Sequence, residues 1–239
     1  MRGIRFGYVS TTLLAQVDAS TGGKNGVNLG DSKNILGCFR QPEFVICDPV
    51  MFYTLTDEEY YSGLAELIKT GIIGNAKLFE KIEHNREAII RRDAELLSLL
   101  ISMAVNFKAS VVSEDEKESG IRRILNFGHT FGHAIELNSS MAHGFAVASG
   151  MELAARFSCS KGLISDTECE RIINILKSFD LLRTYYMTDD QVGRLILHDK
   201  KKAGSNIYFV FTEGIGKAVV EKIPVREVVD FYLNNKAEK

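Results

Sequence analysis

Three of the chain's five histidines fall between positions 129 and 143, and their arrangement narrows the folds open to this sequence. Residues 125–136 (LNFGHTFGHAIE) read as one helix, and Met141-Ala142-His143-Gly144 follows after a short break. Residues four apart on a helix stack on one face, so His129 and His133 can address a common point. His143, at the start of the next helix, reaches that point only if the two helices fold back against each other. Imidazole is the commonest side-chain metal ligand near neutral pH. An isolated H-x-x-x-H pair is more often core packing, so the surrounding residues must decide.

Composition narrows the field further. With 45% hydrophobic and 25% charged residues, the 239-residue chain has ordinary globular composition and enough apolar material for a core. A net charge of -2 gives no global field to draw in nucleic acid or a membrane surface, so neither is expected as a partner. No apolar run approaches the roughly 20 residues of a transmembrane helix. The N-terminus lacks the charged-then-apolar pattern of a signal peptide. Cys38, Cys47, Cys159 and Cys169 show no C-x-x-C spacing and read as reduced thiols of a cytoplasmic protein.

The pattern along the chain predicts an α+β fold, with a small α/β start and a large, mostly helical body. Residues 3–9 fit a short strand, 11–17 a helix, 18–28 a glycine-rich loop, and 44–47 a buried strand before Asp48-Pro49. From Thr56 the texture turns helical, with a cap followed by acids in the first turn. Helices are expected at 56–69, 75–83, 93–113, 122–136, 144–161, 165–179, 189–201 and 225–234. Residues 207–211 and 217–220 form a hairpin around Gly214-Ile215-Gly216. The boundary falls near residues 50–56, giving units 1–55 and 56–239.

Nitrogen and carboxylate donors suit Zn2+, and a catalytic site usually supplies three protein ligands. Spacing alone favours His129 and His133 plus either His143 or a glutamate. Glu66 is a candidate glutamate, because Glu66 and Lys69 lie three apart on one helical face within an apolar sequence. An ordinary surface ion pair fits that spacing equally well. Arg122 lies seven before His129, on a similar helical face, and Lys108 lies on the preceding helix. Lys24, Lys33 and Lys200 sit near Gly or Asp in loops or at a helix end. Such cations suit a substrate bearing phosphate and carboxylate groups, although most lysines in any chain are simply solvated. Gly22-Gly23-Lys24-Asn25-Gly26 completes neither a phosphate loop nor a G-x-G-x-x-G turn.

Taken together, five blocks resemble 3-dehydroquinate synthase, of the sugar phosphate cyclases. They are residues 11–18 (TTLLAQVD), Gly22-Gly23-Lys24 with Gly26-Val27-Asn28, Lys33-Asn34, Gly63-Leu64-Ala65-Glu66 with Lys69, and residues 125–136. The resemblance implies Glu66, His129 and His143 as ligands of Zn2+, for which Co2+ can substitute. This displaces His133 to a place near the phosphate, assisting proton transfer. Lys108 and Arg122 would bind the substrate carboxylate. Asp18, Lys69 and Asn126 would contact hydroxyls near the metal, and Glu118 would orient its neighbours. Lys24, Asn34 and Lys200 would hold the phosphate, with Arg2 reaching in from the other subunit of a homodimer. Thr11, Thr12, Lys24, Lys33, Met51, Phe52, Tyr53 and Thr54 would lie along an NAD site. On this reading, residues 1–55 are part of an NAD-binding domain, and 56–239 bind zinc and substrate.

The reaction implied is conversion of an acidic seven-carbon sugar phosphate, DAHP, to 3-dehydroquinate and phosphate in the shikimate pathway. NAD would oxidise one hydroxyl transiently, phosphate would leave, the ketone would be reduced again, and the ring would reclose. Some features depart from the family. A segment upstream of Met1, with a glycine-rich pyrophosphate turn, belongs to the family pattern. Without it, weak NAD binding, little activity and self-association through exposed apolar surface are expected. Ser10 and Phe145 stand where proline and glutamate are usual, and the connection between His133 and His143 is slightly short. The competing readings are an inactive zinc-binding fragment and a cyclase for a different sugar phosphate.

Overall fold

The computed structural model describes residues 4–29, 32–185 and 206–235. The chain begins with β1 (Tyr8–Ser10), a π-helical turn (Ala15–Ala19), β2 (Lys24–Leu29), β3 (Ser32–Phe39), β4 (Val45–Cys47) and a 3-10 turn (Pro49–Thr54). Helices α1 (Asp57–Gly74), α2 (Ala76–His84), α3 (Arg86–Ile90) and α4 (Ala94–Glu114) follow. A second 3-10 turn (Ile121–Asn126) leads into α5 (His129–Asn138), α6 (His143–Ser160) and α7 (Asp166–Ser178). The hairpin β5 (Asn206–Thr212) and β6 (Ala218–Pro224) and helix α8 (Val225–Asn235) complete the described part. The α+β class expected from the pattern is the one observed.

Local signals set the helix starts. Thr56 accepts from the Glu59 amide, Asn75 from Leu78 and Asp93 from Leu96, each satisfying an amide left open at a helix N-terminus. Ser165 and Glu168 cap each other reciprocally at the start of α7. The interior is organised by α1 and α6, which are buried along nearly their whole length. A helix that is apolar on all sides belongs inside a fold. Helix α6 packs against α1, α5, α7 and β5.

Two glycines let these helices approach closely. A Cβ on Gly144 would sit 2.1 Å from the Ser62 carbonyl oxygen of α1. A Cβ on Gly150 would sit 2.0 Å from the Gly128 carbonyl oxygen and 2.6 Å from the Gly132 amide nitrogen. The Gly144 amide also donates to the Ser62 hydroxyl at 2.9 Å. The start of α6 is thereby drawn to α1, and the start of α5 to the middle of α6.

Several expectations are corrected. Residues 122–136 are not one helix: the chain breaks at Phe127 and Gly128, where Gly128 takes φ 78° beneath α6. Arg122 and His129 therefore do not share a helical face. Residues 18–28 are not all loop, because β2 pairs antiparallel with β3, Gly26 opposite Gly37. Glycine read as loop, but the ladder supplies partners that glycine does not supply locally. Helix α1 runs on to Gly74, past the expected end at residue 69. Helix α4 is, by length and composition, apolar enough to cross a membrane (mean hydropathy 1.7), contrary to the expectation of no such stretch. Here it packs on α1, α2 and the turn containing Asp18, and it buries Lys108. The helix expected at 189–201 lies outside the described residues.

Strands β1 and β4 pair in parallel, Tyr8 opposite Val45 and Ser10 opposite Cys47. Ile4, Val9, Phe44 and Ile46 are exposed around them, the apolar surface anticipated for this part of the chain.

The tight α5–α6 contact yields a prediction. Gly150→Ala should destabilise the fold by about 1–3 kcal/mol or more, as overpacking does. Urea unfolding checks this: a lowered midpoint is expected, and an unchanged one would show that the helices are not in such close contact.

Candidate metal centre and anion pocket

Glu66 lies on α1, 1% exposed, with neither carboxylate oxygen in a well-formed hydrogen bond. Its Oε1 is 3.5 Å from His143 Nε2 and 3.8 Å from His129 Nε2. Its Oε2 touches the buried Lys69 ammonium, three residues on. One ligand atom from each of Glu66, His129 and His143 lies within 4.8 Å of the other two. The close helix contacts described above bring these donors together, since Gly144 adjoins His143 and Gly128 adjoins His129.

Both imidazoles are oriented from behind. His129 Nδ1 is 3.2 Å from the Phe127 carbonyl, and His143 Nδ1 is 3.4 Å from Glu136 Oε2. A proton on each Nδ1 satisfies these acceptors and leaves each Nε2 toward Glu66. Metal-bound histidines characteristically donate their other nitrogen to a carbonyl or carboxylate in this way. A buried carboxylate with unsatisfied oxygens, facing two such nitrogens, fits a divalent cation of the zinc or cobalt type. Spacing alone favoured His133 beside His129, with His143 or a glutamate as the third ligand. His133 instead sits at the exposed margin, its ring 5.2 Å from that of His129, and is outside the donor cluster. Sequence reasoning gave no role to Glu136, although its place two helical turns after His129 was a usable signal.

Electrostatics follow from burial. Burial alone would raise the Glu66 carboxyl, but the Lys69 ammonium and the two imidazoles hold it well below its ordinary value. Burial pushes His129 down to about 3, assisted by the Lys69 charge. His143 is pushed up to about 9 by Glu136 and then by Glu66, whose carboxylates lie on either side of its ring. Burial would lower Lys69, but Glu66 and Asp18 outweigh it and raise the group.

A set of charged groups continues from this centre. Lys108 of α4 donates to the Asp18 carboxylate at 2.7 Å, and Asp18 also lies in the field of Lys69. Burial lowers Lys108 despite that partner. Arg122, 2% exposed, donates to the Gly22 carbonyl at 2.8 Å and to the Glu116 carbonyl, and its Nε has no partner. Asp115 fixes the approach to Arg122 by accepting from the amides of Ser119, Gly120 and Arg122. Glu118, in a left-handed conformation (φ 58°), is contacted by Lys24 and by the Asn126 amide. Burial, with Arg122 and Lys108 nearby, lowers Lys24.

The residues expected along a nucleotide site flank the parallel strand pair. Thr11 and Thr12 follow the carboxyl end of β1, and Met51 to Thr54 follow that of β4. Open parallel sheets bind ligands beyond the carboxyl ends of their strands. Tyr53 and Thr54 are exposed there, whereas the Phe52 side chain is fully buried against Tyr60. Arg2 and Lys200 lie outside the described residues, and so do the side chains of Lys33 and Asn34.

Comparison with known proteins gives this geometry a family. Residues 1–62 match the profile described as 3-dehydroquinate synthase N-terminal, and residues 63–202 that described as 3-dehydroquinate synthase C-terminal. The chain is 43% identical over 234 residues to the 3-dehydroquinate synthase of Dictyoglomus thermophilum, covering 96% of this chain and 66% of that protein. It is 44% identical over 222 residues to that of Thermodesulfovibrio yellowstonii, covering 91% and 62%. The chain thus spans slightly under two thirds of these relatives' length. Among solved structures it superposes on 2-epi-5-epi-valiolone synthase from Streptomyces hygroscopicus, which holds NAD+ and Zn2+, with TM-score 0.89 and 25% identity over 100% of this chain and 68% of that one. A 2-deoxy-scyllo-inosose synthase with carbaglucose-6-phosphate, NAD+ and Co2+ matches at TM-score 0.86 and 27% identity, covering 98% and 68%. With both profiles matched end to end along residues 1–202, the chain belongs to the 3-dehydroquinate synthase family.

Proposed function

We propose that this chain carries the metal and substrate centre of a 3-dehydroquinate synthase, a carbon–oxygen lyase that eliminates phosphate from DAHP and closes the carbocycle. The observation that carries the reading is the convergence of Glu66, His129 and His143 beside Lys69, Asp18 and Lys108, with Arg122 in the field of Asp18. Zn2+ held there, or Co2+ in its place, polarises a substrate hydroxyl as a Lewis acid, and NAD bound beyond β1 and β4 supplies reversible hydride transfer. The relatives that match in structure bind these same groups, which supports both assignments.

The chain's own residues position the substrate. Lys108 and Arg122 are buried cations on separate elements, suited to a carboxylate. The unpartnered Arg122 Nε is a donor free to be used. Lys69 and Asp18, which link Lys108 to Glu66, bind the hydroxyls together with Asn126. His133, exposed beside His129, takes or returns a proton at the phosphate-bearing end. Lys24 holds the phosphate with Asn34 and Lys200, and Glu118 keeps Lys24 and Asn126 in place. Arg2 completes the site of a neighbouring subunit in a homodimer. Thr11, Thr12, Lys33 and residues 51–54 hold the nucleotide. Fixing an acyclic intermediate in this way is how an enzyme replaces the entropy loss of ring closure. Two buried cations favour a substrate that bears a carboxylate as well as a phosphate over sugar phosphates that lack the carboxylate.

A phosphate-release assay on the full chain with DAHP, NAD+ and Zn2+ tests the reading. Release, slow where the family's upstream pyrophosphate turn is lacking, is expected to be abolished by a chelator and absent with sugar phosphates that lack the carboxylate. Metal and NAD+ binding without any release would favour a non-catalytic metal-binding protein.

Metal binding should also displace a proton. With its pKa at about 9, metal-free His143 is mostly protonated at pH 7.5, and a metal needs the Nε2 lone pair. Calorimetry in buffers of different ionisation enthalpy should give about one proton released per zinc, with affinity rising toward pH 9. A heat independent of buffer would contradict this protonation state.

A further inference from the structure

Helix α5 does more than supply His129. Its last turn carries Glu136, seven residues on and therefore on the same face after two turns. A carboxylate in the last turn opposes the helix macrodipole, so Glu136 is not there to stabilise α5. Its side chain is turned inward to 18% exposure, with Oε2 at 3.4 Å from His143 Nδ1. The opposite ring nitrogen of His143 faces Glu66 Oε1 at 3.5 Å. The ring is thus held from both sides by carboxylates on α1 and α5. The His129 ring has only a neutral carbonyl behind it.

We propose that Glu136 is a positioning residue for the metal centre, fixing the tautomer and orientation of His143 so that Nε2 is presented to the ion. This rests on the reading of Glu66, His129 and His143 as metal ligands. The glutamate expected at position 145 is a phenylalanine here, a side chain with no carboxylate, buried with its ring under the Arg183 guanidinium. Glu136 supplies carboxylate support from the preceding helix instead. A carboxylate behind an imidazole makes it a stronger donor and restricts its rotation, both of which raise metal affinity.

The test is Zn2+ titration of the full chain by chelator competition, with the visible spectrum of the Co2+ form as a second readout. The unaltered chain should bind one ion at this site, and Glu66→Gln should abolish it. If either fails, the ligand assignment itself falls and takes the proposal with it. With that established, Glu136→Ala should weaken zinc binding by about 10- to 100-fold and shift the Co2+ bands. Glu136→Gln, which keeps an acceptor oxygen but not the charge, should bind more weakly than the unaltered chain and more tightly than Glu136→Ala. The melting temperature of each metal-free variant should match that of the metal-free parent. Unchanged affinity and spectrum in both variants would overturn the proposal. So would an affinity loss that merely follows a lowered metal-free melting temperature. If Glu136→Ala does not fold, Glu136→Gln decides alone, with unchanged binding overturning the proposal.

Discussion

A buried carboxylate that touches one ammonium and faces two imidazoles is the constraint on which the rest of this structure turns. Glu66 sits in the middle of α1, and both its oxygens lack a well-aligned donor. Burying a charge is tolerated only with compensating charge or coordination. Lys69 provides part of that compensation, and two imidazoles crowd the other oxygen. The arrangement is incomplete as protein alone and becomes complete around a divalent cation. A pair meant only for stability would more simply be apolar.

Packing makes this convergence possible. The ligands come from three helices, and helices normally stand 8–10 Å apart at their axes. Gly144 against Ser62 removes the side chain that would hold the start of α6 away from α1, and Gly150 against Gly128 the one that would hold the start of α5 away from α6. The break at Phe127–Gly128 then does two things. It turns His129 into the first residue of a new helix, and it leaves the Phe127 carbonyl free to face His129 Nδ1. The fold and the site are therefore one problem in close packing.

How much of this was legible in the sequence depended on whether the signal was local. The helix starts expected at residues 56, 75, 93 and 165 fall on the caps Thr56, Asn75, Asp93 and Ser165, because each cap acts within one turn. The hairpin at the end of the chain was legible for the same reason, with short apolar runs flanking a glycine turn. The break at Gly128 was not, because it is imposed by α6, which lies far along the chain. Pairing of β2 with β3 was hidden by glycines that look like loop until a partner strand is present. Spacing favoured His133, since four residues on a helix is the simplest way to aim two imidazoles. The preference for His143 came from the family resemblance, and a physical reason appears only once α5 and α6 are seen to cross. Glu136 belonged to the recognised motif, yet without the position of His143 it had no identifiable partner.

The account stands on three side chains sharing one ion, and X-ray absorption at the zinc edge of the metal-loaded chain addresses this directly. Two imidazole nitrogens and a carboxylate oxygen should scatter at about 2.0–2.2 Å, with an open position filled by solvent. A first shell containing sulfur at about 2.3 Å, or one without imidazole, would contradict it.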